Sequence, residues 1–115
     1  MHEFSIVQSL LGLVEEHARE NRAKGVIRVV VRVGVLSGVE PHLLEMAFDT
    51  FKEGTIARNA ELVIEVERLR LRCEDCGRES EKEELNALCP HCGSLNTQVI
   101  GGEDMFLKSL ELECD

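Results

Sequence analysis

Two pairs of cysteines carry the most readable chemistry in this sequence. Cys73 and Cys76 are separated by two residues, as are Cys89 and Cys92, and twelve residues lie between the pairs. A hook of this spacing brings two sulfurs to one ion. Two facing hooks complete a tetrahedron of thiolates, which Zn(II) accepts with no coordination position left open. Gly77 and Gly93 follow the hooks. Glycine there can take the positive φ that turns backbone N–H groups toward the sulfurs and offsets their charge. Disulfides would need an oxidising compartment, which nothing else in the chain suggests. A rubredoxin-like iron site uses the same Cys-Pro-x-Cys-Gly hook and stays open beside zinc. A closed four-thiolate site is structural, so it informs architecture more than function.

The second stretch with ligand chemistry is Met1-His2-Glu3. A residue as bulky as histidine at position 2 leaves the initiator methionine in place, so a free amine is expected on Met1. Amine, backbone amide nitrogens and the His2 ring then form the planar field that suits Ni(II) or Cu(II). Deprotonated amides matter, because the N-terminus of a helix otherwise repels a cation. Glu3 adds a negative charge and one more amide. The competing reading is an ordinary helix start with an incidental histidine. His42 and His91 are the next candidates for nickel; His17 reads as a solvated or capping residue, and Cys114, a fifth thiol without a hook, as a bystander.

The elements that must position these groups follow from periodicity. Residues 3–23 form an amphipathic helix, with Phe4, Val7, Leu10, Leu11, Val14 and Ala18 on one stripe and Gly25 as its stop. Residues 26–35 form a strand, with Ile27, Val29, Val31, Val33 and Val35 facing the helix and Arg28, Val30 and Arg32 facing away. Pro41 opens a second helix, whose stripe is Leu43, Leu44, Ala47, Phe48 and Phe51 and which Gly54 closes. Residues 61–67 form a strand with Leu62, Ile64 and Val66 inward. The apolar parity then shifts to Leu69 and Leu71, which marks a bulge or a change of sheet. The acidic run 79–84 reads as a solvated turn or hairpin. A last strand, 105–114, carries Leu110 and Leu112 opposite Glu111 and Glu113 and returns to the first sheet.

The expected architecture is therefore α+β: a small three-stranded sheet covered by two helices, with an inserted zinc-ribbon-like module. The divisions are 1–67, 68–101 for the zinc module, and 102–115 for the returning strand. A helix of about 21 residues spans roughly 31 Å, and a strand of about ten residues roughly 33 Å. Residues 1–3 are thus expected beside the loop 36–40, and the zinc module is expected to begin at that same end.

Composition narrows the function. The net charge is −9, from 13 basic and 22 acidic residues, and Trp and Tyr are absent. A nucleic-acid surface needs basic side chains to release counterions and rings to stack bases, so nucleic acid is disfavoured. No run of about twenty apolar residues exists to span a membrane. The first residues lack the basic-then-apolar plan of a signal peptide, which makes the cytoplasm the expected location. No nucleophile, base and orienting group occur together, so an enzyme is not expected.

The sequence also resembles the HypA/HybF family of nickel incorporation proteins. The resemblance rests on the opening Met1-His2-Glu3-Phe4-Ser5, on Gly34 through Pro41, on Ala47-Phe48 and on Gly54-Thr55. It continues through both hooks, Cys92-Gly93-Ser94 and the closing Leu110-Glu111-Leu112-Glu113. It runs the length of the chain in the family's order; residues 79–88 between the hooks carry nothing across. The resemblance implies a metallochaperone for [NiFe]-hydrogenase maturation. Nickel would be held through His2 and the adjoining backbone of Met1 and Glu3, and zinc through Cys73, Cys76, Cys89 and Cys92. It implies a HypB-type GTPase and the hydrogenase large-subunit precursor as partners, with urease maturation proteins for some relatives. The alternative is a zinc-ribbon adaptor that binds protein and carries no nickel.

Overall fold

The computed structural model describes residues 2–115, and for His2 the backbone alone; the expectations for Met1 and the His2 ring lie outside the described residues. The elements are α1 (His2–Glu20), β1 (Gly25–Gly34), α2 (Pro41–Phe51), β2 (Glu61–Glu67), β3 (Leu69–Cys73), β4 (Glu79–Lys82), β5 (Thr97–Gly101) and β6 (Met105–Glu113). β1 is the centre of one sheet, parallel to β2 and antiparallel to β6. β3 is the centre of a second sheet, antiparallel to β4 and β5. The α+β architecture with two helices on one small sheet and an inserted second sheet is the one expected.

The apolar stripes explain the first layer pairing. Val7, Leu10, Leu11, Val14 and Ala18 of α1 close, with Leu44, Ala47 and Phe48 of α2, over Val26, Val29, Val31 and Val33 of β1. The opposite face of this sheet is charged and wet. There Arg28 Nε and Nη1 reach Glu61 and Glu111 at 3.0 and 2.9 Å, and Lys108 reaches Glu65 at 2.8 Å. The Glu61 hydrogen bond and the two carboxylates raise the Arg28 pKa further, so the cation persists at any ordinary pH. Exposed pairs of this kind add little stability.

Several expectations about facing are corrected. Ile27 is 43% exposed while Val26 is buried, because the pairing with β6 skips from Val26 to Arg28 and leaves Ile27 in a bulge. One extra residue reverses the parity of what precedes it. Lys108 occupies a second bulge, between the Val30–Ser109 and Val31–Leu107 pairs. It lets Met105 and Leu107 as well as Leu110 and Leu112 pack on the core. Val66 has the expected parity but is 54% exposed at the far end of edge strand β2, where the helices leave it uncovered. Leu43 and Val35 are likewise exposed, Val35 lying just past the end of β1.

Helix α1 also stops earlier than expected, and Gly25 is not its stop. Arg22 takes the left-handed conformation at φ 55. The Ala23 N–H then reaches Ala18 O at 2.8 Å and the Arg22 N–H reaches Arg19 O at 3.1 Å. That is a Schellman closure with arginine at the position glycine usually fills. Gly25 opens β1 instead. In the acidic run it is the hairpin alternative that holds: residues 79–82 are strand β4, antiparallel to β3, with Arg70 ion-paired to Glu79 and Arg68 to Glu81 and Glu83.

The two sheets meet at a close backbone junction. Val35 N–H donates to Glu67 O at 3.0 Å, Leu36 N–H to Gly102 O at 2.8 Å, and Gly102 N–H to the Glu67 carboxylate at 2.6 Å. A Cβ on Gly34 would overlap the Gly102 carbonyl, and Gly102 itself has φ +93. Gly34→Ala is therefore expected to cost at least about 1–3 kcal/mol, since backbone must move to admit the methyl group. Gly12 is the contrast, exposed in mid-helix with open space around it. Gly12→Ala is expected to add about 0.5–1 kcal/mol. Urea unfolding of the two variants checks both signs.

Candidate metal centre

Each cysteine hook is built as a turn that ends a strand or precedes one. Cys73 is the last residue of β3, and the first hook is the turn that leads into β4. Cys73 N–H donates to Arg78 O at 2.9 Å and Gly77 N–H to Cys73 O at 3.0 Å. The second hook repeats the pattern, with Cys89 N–H on Ser94 O and Gly93 N–H on Cys89 O, both at 2.9 Å. Gly77 and Gly93 have φ +74 and +76, the left-handed values that the spacing called for.

The fold brings the two hooks together. All four Sγ atoms lie within 4.8 Å of one another. Cys73 and Cys92 are 3.5 Å apart and Cys76 and Cys89 are 3.8 Å apart. Four sulfurs around zinc at its usual bond length of about 2.3 Å would sit about 3.8 Å from each other. The donor set therefore fits a tetrahedral thiolate ion such as zinc. Cys73 and Cys89 are buried, while Cys76 and Cys92 are exposed.

The backbone prepares the sulfurs unevenly for ionisation. The Cys92 N–H, with that of His91, holds the Cys89 thiol down at about 6. The Ser94 N–H lowers Cys92, but the Cys73 sulfur, burial and the other two sulfurs outweigh it and push that thiol up to about 12. Cys76 is also raised: the Arg78 N–H favours its thiolate, and burial with the Cys73 and Cys89 sulfurs opposes it. Sulfurs this close resist ionising together. A divalent cation among them makes four thiolates compatible, which is why metal binding and proton release are linked.

A belt outside the sulfurs joins the hooks, and the sequence reading missed it. Asp75, inside the first hook, accepts from the Ser94 hydroxyl and, at 3.3 Å, from Asn96 Nδ2. The Ser94 hydrogen bond, then that of Asn96, lowers the Asp75 pKa. Glu74 N–H completes the belt on Asn96 O at 2.9 Å. The available signal was the short polar residue that directly follows the glycine of the second hook.

At the other expected centre, Glu3 lies in the first turn of α1. Its carboxylate accepts the Glu40 N–H at 3.4 Å. Glu40 caps α2 in turn, its own carboxylate accepting the Leu43 N–H at 2.7 Å. Phe4 stacks edge-on against Phe51 with ring centroids 5.3 Å apart. Residue 3 and the loop 36–40 are thus neighbours. Glu67 and Gly102, which flank residues 68–101, bond the chain where it enters the same loop, at Val35 and Leu36. His42 and His91 are exposed on separate elements, and His91 meets Arg78 at 3.5 Å. Cys114 is exposed and apart from the hooks.

Comparison with known proteins places the whole arrangement. A family model described as hydrogenase/urease nickel incorporation, metallochaperone, HypA matches residues 1–112. The hydrogenase maturation factor HypA of Aquifex aeolicus is 75% identical over 115 residues, covering all of both chains. That of Shewanella halifaxensis is 51% identical over 113 residues, 98% of each chain. The solution structure of the nickel metallochaperone HypA from Helicobacter pylori matches with a TM-score of 0.70 and 37% identity, over 98% of both chains. A second solution structure of a HypA protein matches with a TM-score of 0.77 and 38% identity, over 100% of this chain and 98% of that one.

Proposed function

This chain belongs to the HypA family of hydrogenase and urease nickel incorporation metallochaperones, and from that membership we propose how its two metals divide the work. Zinc resides in the module, on Cys73, Cys76, Cys89 and Cys92, as a structural ion. Nickel is the cargo, held by the His2 imidazole and backbone nitrogens of residues 1–3, Met1 and Glu3 among them. The observation that carries the division is the contrast between the sites. Four sulfurs within 4.8 Å of one another form a closed set with no ligand to spare. The nickel ligands proposed on residues 1–3 are displaceable by contrast, and they adjoin the Glu3–Glu40 contact.

Handover needs ligands that a receiving protein can replace one at a time. Backbone nitrogens and one ring at a chain end meet that need better than a caged ion. The residues' work is to carry and release metal as a maturation factor. The receiving proteins we propose are a HypB-type GTPase, then the [NiFe]-hydrogenase large-subunit precursor, with urease maturation proteins as a further route. We place this exchange in the cytoplasm; no helix is long and apolar enough to cross a membrane among the described residues. We further assign residues 1–67 and 102–115 to the nickel-binding unit and 68–101 to the zinc module.

The test is metal analysis of the protein after nickel exposure, repeated with one extra residue ahead of Met1. One zinc and one nickel per chain, with nickel alone lost on extension, is the expected result. Zinc without nickel in both proteins would favour the adaptor reading.

A further inference from the structure

Lys82 is the one charged side chain buried among the described residues, at 8% exposure. Glu81, Glu83 and Glu84 flank it, all exposed, and its ammonium pairs with none of them. It donates instead to Asn86 Oδ1, to Asn86 O at 3.4 Å and to Leu88 O at 2.7 Å. An ammonium has three donors, and all three find oxygens here. Burying an ion is costly unless it is fully hydrogen-bonded, so its position calls for a reason.

The reason lies in what the two hooks have for support. The first is the turn of a hairpin, held by β3 on one side and β4 on the other. The second is entered from residues 83–88, which belong to no strand and expose their apolar side chains, Leu85 at 60%. That segment has no packing to hold it. What it has is the Lys82 ammonium on Asn86 and on Leu88 O, the Asn86 side chain on the Leu88 N–H at 3.1 Å, and Thr97 on Ala87 O at 2.6 Å. Cys89 follows at once.

We infer that Lys82 is a positioning residue for the metal centre: its ammonium fixes residues 86–88 and so delivers the Cys89 sulfur opposite Cys76. This rests on the reading of the four cysteines as the metal-holding group. Lys82 touches neither metal nor sulfur and acts only through the chain that ends in Cys89.

The test uses the full chain loaded with zinc or with cobalt as a spectroscopic stand-in. Lys82→Met keeps the apolar stem and removes the donors. Zinc release to a chromophoric chelator is expected to quicken about tenfold, in keeping with the loss of an outer-shell support. The ligand-field bands of the cobalt form are expected to shift or broaden. Asn86→Ala is milder and is expected to quicken release about threefold. It serves where Lys82→Met does not fold. Wild-type release and cobalt bands in a folded Lys82→Met, or in Asn86→Ala where Lys82→Met does not fold, would overturn the inference. So would faster release with unchanged cobalt bands in both, which would make Lys82 a stabiliser of the module and not a positioner of its ligands. If wild type itself bound no metal, the four-cysteine reading would fall instead.

Discussion

Cys76→Ser is expected to release the module's zinc and unfold residues 68–101, while the helix-covered sheet stays folded. Leu69 and Leu71 are the fully apolar side chains buried in the module, alongside Cys73 and Cys89. Two leucines contribute about 1.5–3 kcal/mol each on burial. Structural zinc contributes about 10–16 kcal/mol in small thiolate modules. The metal term dominates, so three short strands of five, four and five residues cannot persist without it. The main core is independent, because none of its residues lies between 68 and 101. An unfolded module leaves a longer loop between β2 and β6, and the closure cost grows only logarithmically with length. Elemental analysis with amide hydrogen exchange resolves the two halves. Zinc still at one per chain in Cys76→Ser would sink the four-thiolate assignment.

His2→Ala is expected to abolish stoichiometric nickel binding and leave zinc content and helix signal unchanged. In the proposed chelate the His2 ring supplies the one side-chain nitrogen that residues 1–3 possess, the other ligands being backbone atoms. His42 is exposed in the first turn of α2 and His91 is in the second hook. His42→Ala is the control, expected to titrate with nickel as wild type does. The substitution at position 2 falls at the end of a helix whose buried stripe starts at Val7, so α1 keeps its packing. Nickel absorption bands retained in His2→Ala and lost in His42→Ala would move the site to the start of α2.

Some of the protein was legible before any tertiary structure. The hooks, their glycines and the closed donor set followed from spacing, because a metal imposes its geometry over a few residues of chain. The apolar stripes of α1 and α2 followed from period, and the shift from Ile64 and Val66 to Leu69 and Leu71 announced a bulge or a change of sheet, of which the fold has the second. Lengths alone put residue 3 beside the loop 36–40, since helix and strand rise by fixed steps. What stayed hidden depended on partners distant in sequence. Ile27 reads as a core-facing residue until β6 skips it, and Arg22 reads as ordinary helix until it takes the place of a glycine cap. The run 79–84 left a solvated turn and a hairpin both open, because four glutamates in six residues say nothing of Arg68 and Arg70, which pair with Glu79, Glu81 and Glu83. Lys82 reads as one more solvated base, and only the path of residues 83–88 around its ammonium makes it buried. Periodicity reports what an element would bury against a featureless core; bulges, caps and buried charges are settled by the particular backbone atoms that the fold brings opposite.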